Sequence, residues 1–224
     1  MPIFLLDDEI RFPDPAHAEK DGLLAVGGDL SPERLILAYS LGIFPWFNDD
    51  SPIMWWTPDP RMILIPDELK ISKSLSQSIR NKHFDVRFDT DFISVIRACA
   101  SAMRKHEDGT WITPEMIAAY SALHELGYAH SVETYLEERL VGGLYGISLG
   151  RAFFGESMFF VERDASKVAL AKLAQRLSDW GFYFIDVQQQ TRHLRSLGAR
   201  TVPRTDFNEM LKEAMKFPTV SGKW

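Results

Sequence analysis

A single cysteine, Cys99, stands in the 224 residues, so no disulfide can close within the chain. That fits a reducing compartment. Long apolar runs are also missing: none approaches the roughly 20 residues that span a bilayer. The opening Met1-Pro2-Ile3-Phe4-Leu5-Leu6-Asp7-Asp8 has no basic start, a short apolar run and an acidic end, unlike a secretory signal. The expectation is a cytoplasmic protein with no membrane partner. A cationic excess is absent too: 25 Lys and Arg face 31 Asp and Glu, a net charge of −6. This excludes a general nucleic-acid coat but leaves room for local patches. No phosphate-binding G-x-x-x-x-G-K-[ST], dinucleotide G-x-G-x-x-G or zinc-binding H-E-x-x-H occurs. The six histidines are scattered, and His124-Glu125-Leu126 stops short of the zinc pattern. Neither metal nor cofactor is expected.

What is present reads as a globular α+β chain, 46% hydrophobic and 25% charged. Ser31-Pro32-Glu33 opens a helix: the hydroxyl can cap free N–H groups, and proline suits the first turn. Between Ile43 and Arg61 the composition changes to Phe44, Pro45, Trp46, Phe47, Pro52, Trp55, Trp56, Pro58 and Pro60. That is too aromatic for a linker and predicts a rigid, packed segment. A small N-terminal domain is therefore drawn over 1–62, and a larger one over 63–224. Within the second, strands are predicted at Arg61–Ile65 and Phe84–Phe88, and helices at Ser72–Asn81, around Phe92–Cys99 and after Thr113. Three strand-like runs, Ala129–Leu136, Arg139–Leu149 and Arg151–Phe160, are separated by tight gaps and predict an antiparallel meander. A helix over Asp164–Asp179, a nearly all-apolar strand Phe182–Asp186, and helices near Gln189–Ser196 and Thr205–Met215 complete the chain. This order resembles the acetyltransferase-type (GNAT-like) fold, a mixed sheet with flanking helices.

Two carboxylates stand in strongly apolar strands, Glu156 and Asp186. Such a group costs several kcal/mol unless it is paired. It is therefore either a buried structural ion pair, with Lys167 or an arginine, or a cleft carboxylate with a shifted pKa. Cys99 lies on an apolar helical stripe and reads as core. Trp46, Trp55, Trp56 and Trp111 are core residues or stacking platforms for bases or sugars. Lys70, Lys73, Arg80, Lys82 and His83 form a local cationic cluster, a solvated helix face or a phosphate contact.

Ten segments in order resemble the leucyl/phenylalanyl-tRNA–protein transferases over nearly the whole chain. They include Gly22–Ser31, Gly42-Ile43-Phe44-Pro45-Trp46-Phe47, Trp55-Trp56-Thr57-Pro58-Asp59-Pro60-Arg61, Gly109-Thr110-Trp111-Ile112-Thr113 and Leu140–Gly146. Phe154-Gly155-Glu156-Ser157-Met158-Phe159, Ala165-Ser166-Lys167, Ile185-Asp186-Val187-Gln188 and Ser196-Leu197-Gly198-Ala199 follow.

The resemblance implies an aminoacyltransferase of the N-end rule of protein degradation. It would move Leu or Phe, and less well Met, from aminoacyl-tRNA to the α-amino group of proteins with N-terminal Arg or Lys, without cofactor, as a monomer. It further implies Asp186 as base or relay, Gln188 beside it, and Glu156 as the residue that holds the amine. The donor side-chain slot would be formed by Leu144, Phe153, Met158, Leu170 and Ile185. Trp46 and Trp111 would contact the terminal adenosine. Separately, Lys70, Lys73, Arg80 and Lys82, a cationic patch on an otherwise acidic chain, are expected to touch the tRNA phosphates. Strict alternation sets Phe153 opposite Met158, so both can line one slot only with a bulge near Gly155.

Other readings are a CoA-dependent acetyltransferase, a glycoside hydrolase and a non-catalytic peptide-binding module. The first lacks a glycine-rich pyrophosphate loop, since Val161-Glu162-Arg163-Asp164 stands there. The second would use the two carboxylates and the tryptophans.

Overall fold

The structure, a computed structural model, describes residues 3–102 and 111–224. His106, Gly109 and Thr110 lie outside them. The described chain runs β1 (Phe4–Leu6), β2 (Leu23–Gly27), α1 (Pro32–Ser40), β3 (Phe44–Pro45), β4 (Met54–Trp56), β5 (Arg61–Leu64), α2 (Lys73–Asn81), β6 (Asp85–Phe88) and α3 (Phe92–Ser101). It continues α4 (Pro114–Glu125), β7 (Ala129–Leu136), β8 (Arg139–Leu149), β9 (Ala152–Phe160), α5 (Ala165–Asp179), β10 (Phe184–Asp186), α6 (Arg192–Ser196), β11 (Arg200–Val202) and α7 (Arg204–Ala214).

Caps start the helices where the sequence expects them. Ser31, Ser72, Asp91, Thr113 and Thr191 each accept a backbone N–H three residues on, satisfying a donor the helix cannot.

Two sheets form. The smaller has the order β1-β2-β4-β3, and the larger β11-β5-β10-β9-β8-β7-β6. The aromatic, proline-rich segment is thus the far half of the small sheet, with Phe44 and Pro45 paired to Trp56 and Trp55. The chain passes from the small sheet to the large one between Trp56 and Arg61. β7, β8 and β9 are the expected antiparallel meander. β10 then lies parallel to β9 and antiparallel to β5, making the large sheet mixed.

A hydrophobic cluster covers each face of the large sheet. One joins it to α1, α3, α4, α7 and the small sheet through Leu35, Tyr39, Ile96, Tyr120, Phe154, Phe184 and Phe207. The other joins it to α5 through Leu144, Phe153, Leu170, Leu173 and Ile185. Tyr39 of α1 meets Phe154 of β9 edge-on at 5.2 Å, so the N-terminal part is packed directly on the large sheet.

Candidate functional site

The site lies where two parallel strands part. β10 stays paired with β9 only as far as Asp186 opposite Phe154, whereas β9 runs on to Phe160. Beyond that row the strands splay, and backbone that would be paired borders a cleft. Clefts at the carboxyl ends of parallel strands are the usual ligand positions of open sheets.

The local register of β9 shapes the cleft. Tyr145 of β8 pairs with Ser157 and Gly146 with Gly155, so Glu156 is an extra residue, a β-bulge. The bulge shifts the alternation by one. Phe153 and Met158 therefore both pack with the α5-side cluster. The condition set by the sequence pattern is met.

A cavity of about 370 Å³ opens there, lined by Leu144, Phe153, Met158, Leu170 and Ile185. All five expected slot residues thus surround one apolar space. Sequence reading missed Leu173, Val187, His193 and Leu194, which also line it. The apolar stripe of α5 points to Leu173, but nothing local marks the α6 residues. A second cavity, about 200 Å³, is lined by Phe44, Trp46, Trp111 and Gln189. Glu156, Val187, Gln188, Thr191 and Leu194 border both cavities. Thr191 caps α6 through its hydroxyl, which accepts from Leu194 N at 3.1 Å.

The two carboxylates have different fates. Asp186 is fully buried and receives Arg61 on both oxygens, Nε at 2.8 Å and Nη2 at 2.6 Å. Its Oδ1 also accepts the backbone N–H of Gln188 at 2.9 Å. Phe44 and Phe207 flank the Arg61 guanidinium at 4.9 and 4.7 Å. The structure places Asp186 in a buried ion pair: it lines neither cavity, whereas Gln188, whose N–H it accepts, lines both. The structural ion pair foreseen for one carboxylate is here, with Arg61 as the arginine. Arg61 was quoted in the sequence but given no role, because its partner lies 125 residues away.

Gln188 has φ 52°, a left-handed conformation uncommon for a side-chain-bearing residue. The bond from its N–H to Asp186, together with Met62 N donating to its carbonyl at 3.1 Å, holds it there.

Glu156 keeps a partly exposed edge at the cavities. Its Oε1 accepts from Gln188 Nε2 at 3.2 Å and its Oε2 from the Tyr120 hydroxyl at 3.3 Å. The hydroxyls of Tyr39 and Tyr120 bond to each other in the core. Burial lifts the Glu156 carboxyl from 4.5 to about 7. The Tyr39 hydroxyl pulls it down, the Asp186 charge pushes it up, and Tyr120 and Arg61 pull it down again. The same desolvation, with the Glu156 charge, pushes both tyrosines well above their ordinary range. Tyr39 and Tyr120 are a further miss. Each lies on an apolar helical stripe, and their hydroxyls meet only in three dimensions.

The cationic cluster is elsewhere. Lys70, Lys73 and Arg80 are exposed, and none lines either cavity. Lys82 donates to the Arg163 carbonyl at 3.1 Å and has Glu162 at 3.9 Å. The start of α5, where a pyrophosphate would sit in a CoA enzyme, holds Asp164, paired with Lys167 at 3.0 Å. With Asp186 occupied by Arg61, Glu156 and Asp186 do not form the free carboxylate pair of a glycoside hydrolase. Among the described residues no three His, Cys, Asp or Glu side chains gather as metal ligands.

A sequence profile described as "Leucyl/phenylalanyl-tRNA protein transferase" matches residues 63–212, and one described as its N-terminal domain matches residues 28–59. The chain belongs to the leucyl/phenylalanyl-tRNA–protein transferase family. A transferase of that name from Desulfatibacillum aliphaticivorans is 54% identical, over 100% of this chain and 96% of its own. One from Nitrosospira multiformis is 56% identical over 98% and 95%, and one from Syntrophobacter fumaroxidans 57% over 95% and 91%. Among solved structures, an aminoglycoside acetyltransferase from a soil metagenome overlaps 60% of this chain and 90% of its own, at 17% identity and TM-score 0.38. An acetyltransferase from Kribbella flavida overlaps 76% and 60%, at 10% identity and TM-score 0.41. In this transferase family member an apolar and an aromatic cavity meet at Glu156 and Gln188, beside the β9–β10 split.

Proposed function

We propose that this chain moves a leucyl or phenylalanyl group from aminoacyl-tRNA to the α-amino group of a protein with N-terminal Arg or Lys, marking it for degradation. The observation that carries the reading is the meeting of the two cavities at Glu156 and Gln188. The donor side chain enters the apolar slot, where burying a Leu or Phe contributes about 1.5–3 kcal/mol. The 3′-terminal adenosine lies between Trp46 and Trp111, which supply faces for stacking. The reacting ester then falls at the shared edge.

The chemistry is aminolysis. The amine nitrogen attacks the ester carbonyl carbon, a C–N bond forms, and the C–O bond to the ribose breaks. One proton leaves the amine and one reaches the ribose oxygen. Glu156 with a pKa near 7 is matched to an α-amine of pKa about 8, so it can take that proton and return it to the leaving oxygen. Gln188 orients the carbonyl or the amine beside it. Asp186, with Arg61, acts as a positioning residue that holds Gln188. Glu156 bonds the neutral side chains of Tyr120 and Gln188, so its negative form favours a cationic N-terminus.

Among the described residues no helix is long and apolar enough to cross a membrane. A monomer in the cytoplasm, where charged tRNA is available, suffices for this reaction.

The test mixes radiolabelled leucyl-tRNA with one protein carrying N-terminal Arg, Lys or Asp. Label is expected on the first two and not on the third. Absence of label on all three overturns the reading. Met158→Ala should lower leucyl transfer by roughly 1–3 kcal/mol in kcat/KM through lost slot contact.

A further inference from the structure

The apolar slot has a second layer behind it. Phe153 is wholly buried and lines the slot. Behind it stands Trp224, with ring centroids 5.8 Å apart. Trp224 is itself clamped. Its ring stacks on His130 at 3.8 Å with planes within 12°, and meets Trp180 at 5.1 Å and Phe182 at 6.2 Å edge-on. Its backbone N donates to Asp89 Oδ2 at 2.9 Å and its indole N–H to the Val220 carbonyl at 3.2 Å. Asp89 also bonds His130 Nδ1 at 2.8 Å and accepts Ser131 N at 2.8 Å, which ties the stack to β7. The chain leading to Trp224 lies flat on the protein. Gly150 N donates to Thr219 Oγ1 at 3.0 Å, and a Cβ on Gly127 would come within 2.4 Å of Gly222 N.

We infer that Trp224 is a positioning residue for donor choice: by backing Phe153 it sets the depth of the apolar slot. The inference rests on reading that slot as the donor side-chain site. On the β8 side the Phe153 ring already abuts Gly146, where a Cβ would come within 2.5 Å of it, so the ring cannot retreat that way. Toward Trp224 it is stopped by an indole that stacking and two hydrogen bonds keep in place. Removing the indole leaves space into which Phe153 can turn. The slot deepens, a phenylalanyl group gains room, and a leucyl group loses contact.

The experiment measures kcat/KM for leucyl- and phenylalanyl-tRNA with the full chain and with Trp224→Ala, Trp224→Phe and Met158→Ala. Trp224→Ala should raise the phenylalanyl-to-leucyl ratio about tenfold, within the range by which apolar pockets distinguish such side chains. Trp224→Phe, which keeps a ring behind Phe153, should restore the parent ratio. Both donors are assayed on one preparation, so any inactive fraction cancels from the ratio. Equal losses for both donors in Trp224→Ala overturn the inference and leave Trp224 a stabilising residue only. If Met158→Ala shifts the ratio and Trp224→Ala does not, the slot stands and the inference falls. If Met158→Ala leaves leucyl and phenylalanyl transfer both unchanged, the slot is not the donor site and both readings fall.

Discussion

Glu156 and Asp186 look alike in the sequence, each a lone acid in an apolar strand, yet the fold gives them different surroundings. Asp186 meets a guanidinium on both oxygens as one half of a buried ion pair. Removing one partner of such a buried pair costs about 3–5 kcal/mol, because the other charge is stranded. Glu156 bonds the neutral side chains of Tyr120 and Gln188, and burial raises it to about 7. The sign follows. A carboxyl raised in the folded state holds its proton more tightly there than in the unfolded chain. Stability is therefore unaffected below the unfolded value of about 4.5, falls as pH rises from there to about 7, and stays level above. Glu156→Gln should raise the melting temperature more at pH 8 than at pH 4, measured by calorimetry. The same variant should lower kcat by about 10²–10⁴ and lose the rising limb near pH 7 in the pH–rate profile. Retention of that limb would move the proton acceptor to the tRNA ribose.

At the scale of elements, the bulge in β9 decides the geometry. It turns Glu156 toward Tyr120 while keeping Phe153 and Met158 on the α5 side. β8 tolerates it because Gly146 faces it. A Cβ at Gly146 would stand 2.2 Å from the Phe154 carbonyl oxygen. Gly146→Ala should therefore destabilise the fold by about 1–3 kcal/mol, read by urea denaturation, since the neighbour is backbone and cannot swing away. Transfer activity should fall further than the loss of folded protein explains. Elsewhere elements were legible where a cap or a long period announced them. Ser31-Pro32 opens α1, and the stripe Met116, Ala119, Tyr120 and Leu123 is the buried face of α4. β1, β3 and β11 were not legible. Each has two or three residues, too few to show an alternation, and each exists only because a neighbouring strand offers an edge.

Over the whole molecule the charge is negative, and Lys70, Lys73 and Arg80 stand exposed together near α2. Lys73→Gln with Arg80→Gln should weaken charged-tRNA binding and flatten its salt dependence, as each lost phosphate contact removes a released counterion. A minimal aminoacyl-adenosine donor should react as before. Lys82→Gln should do less, because Lys82 is already engaged with the Arg163 carbonyl and Glu162. Equal loss with tRNA and with the minimal donor would show that the cluster does not meet phosphates.

By itself the sequence determined the α+β order, most helix starts and the apolar faces. These depend on neighbours within a few positions, where caps and the periods of helix and strand act. The five residues named for the slot came from the family resemblance and not from any local period. Only the tertiary structure decided which carboxylate is neutralised and which is free. That choice depends on β5 lying beside β10, which brings Arg61 to Asp186 across 125 residues. It also decided that Tyr39 and Tyr120 meet at Glu156, and that Trp224 stands behind Phe153. Charge pairing and close packing are short-range in space but not along the chain, so no local pattern records them.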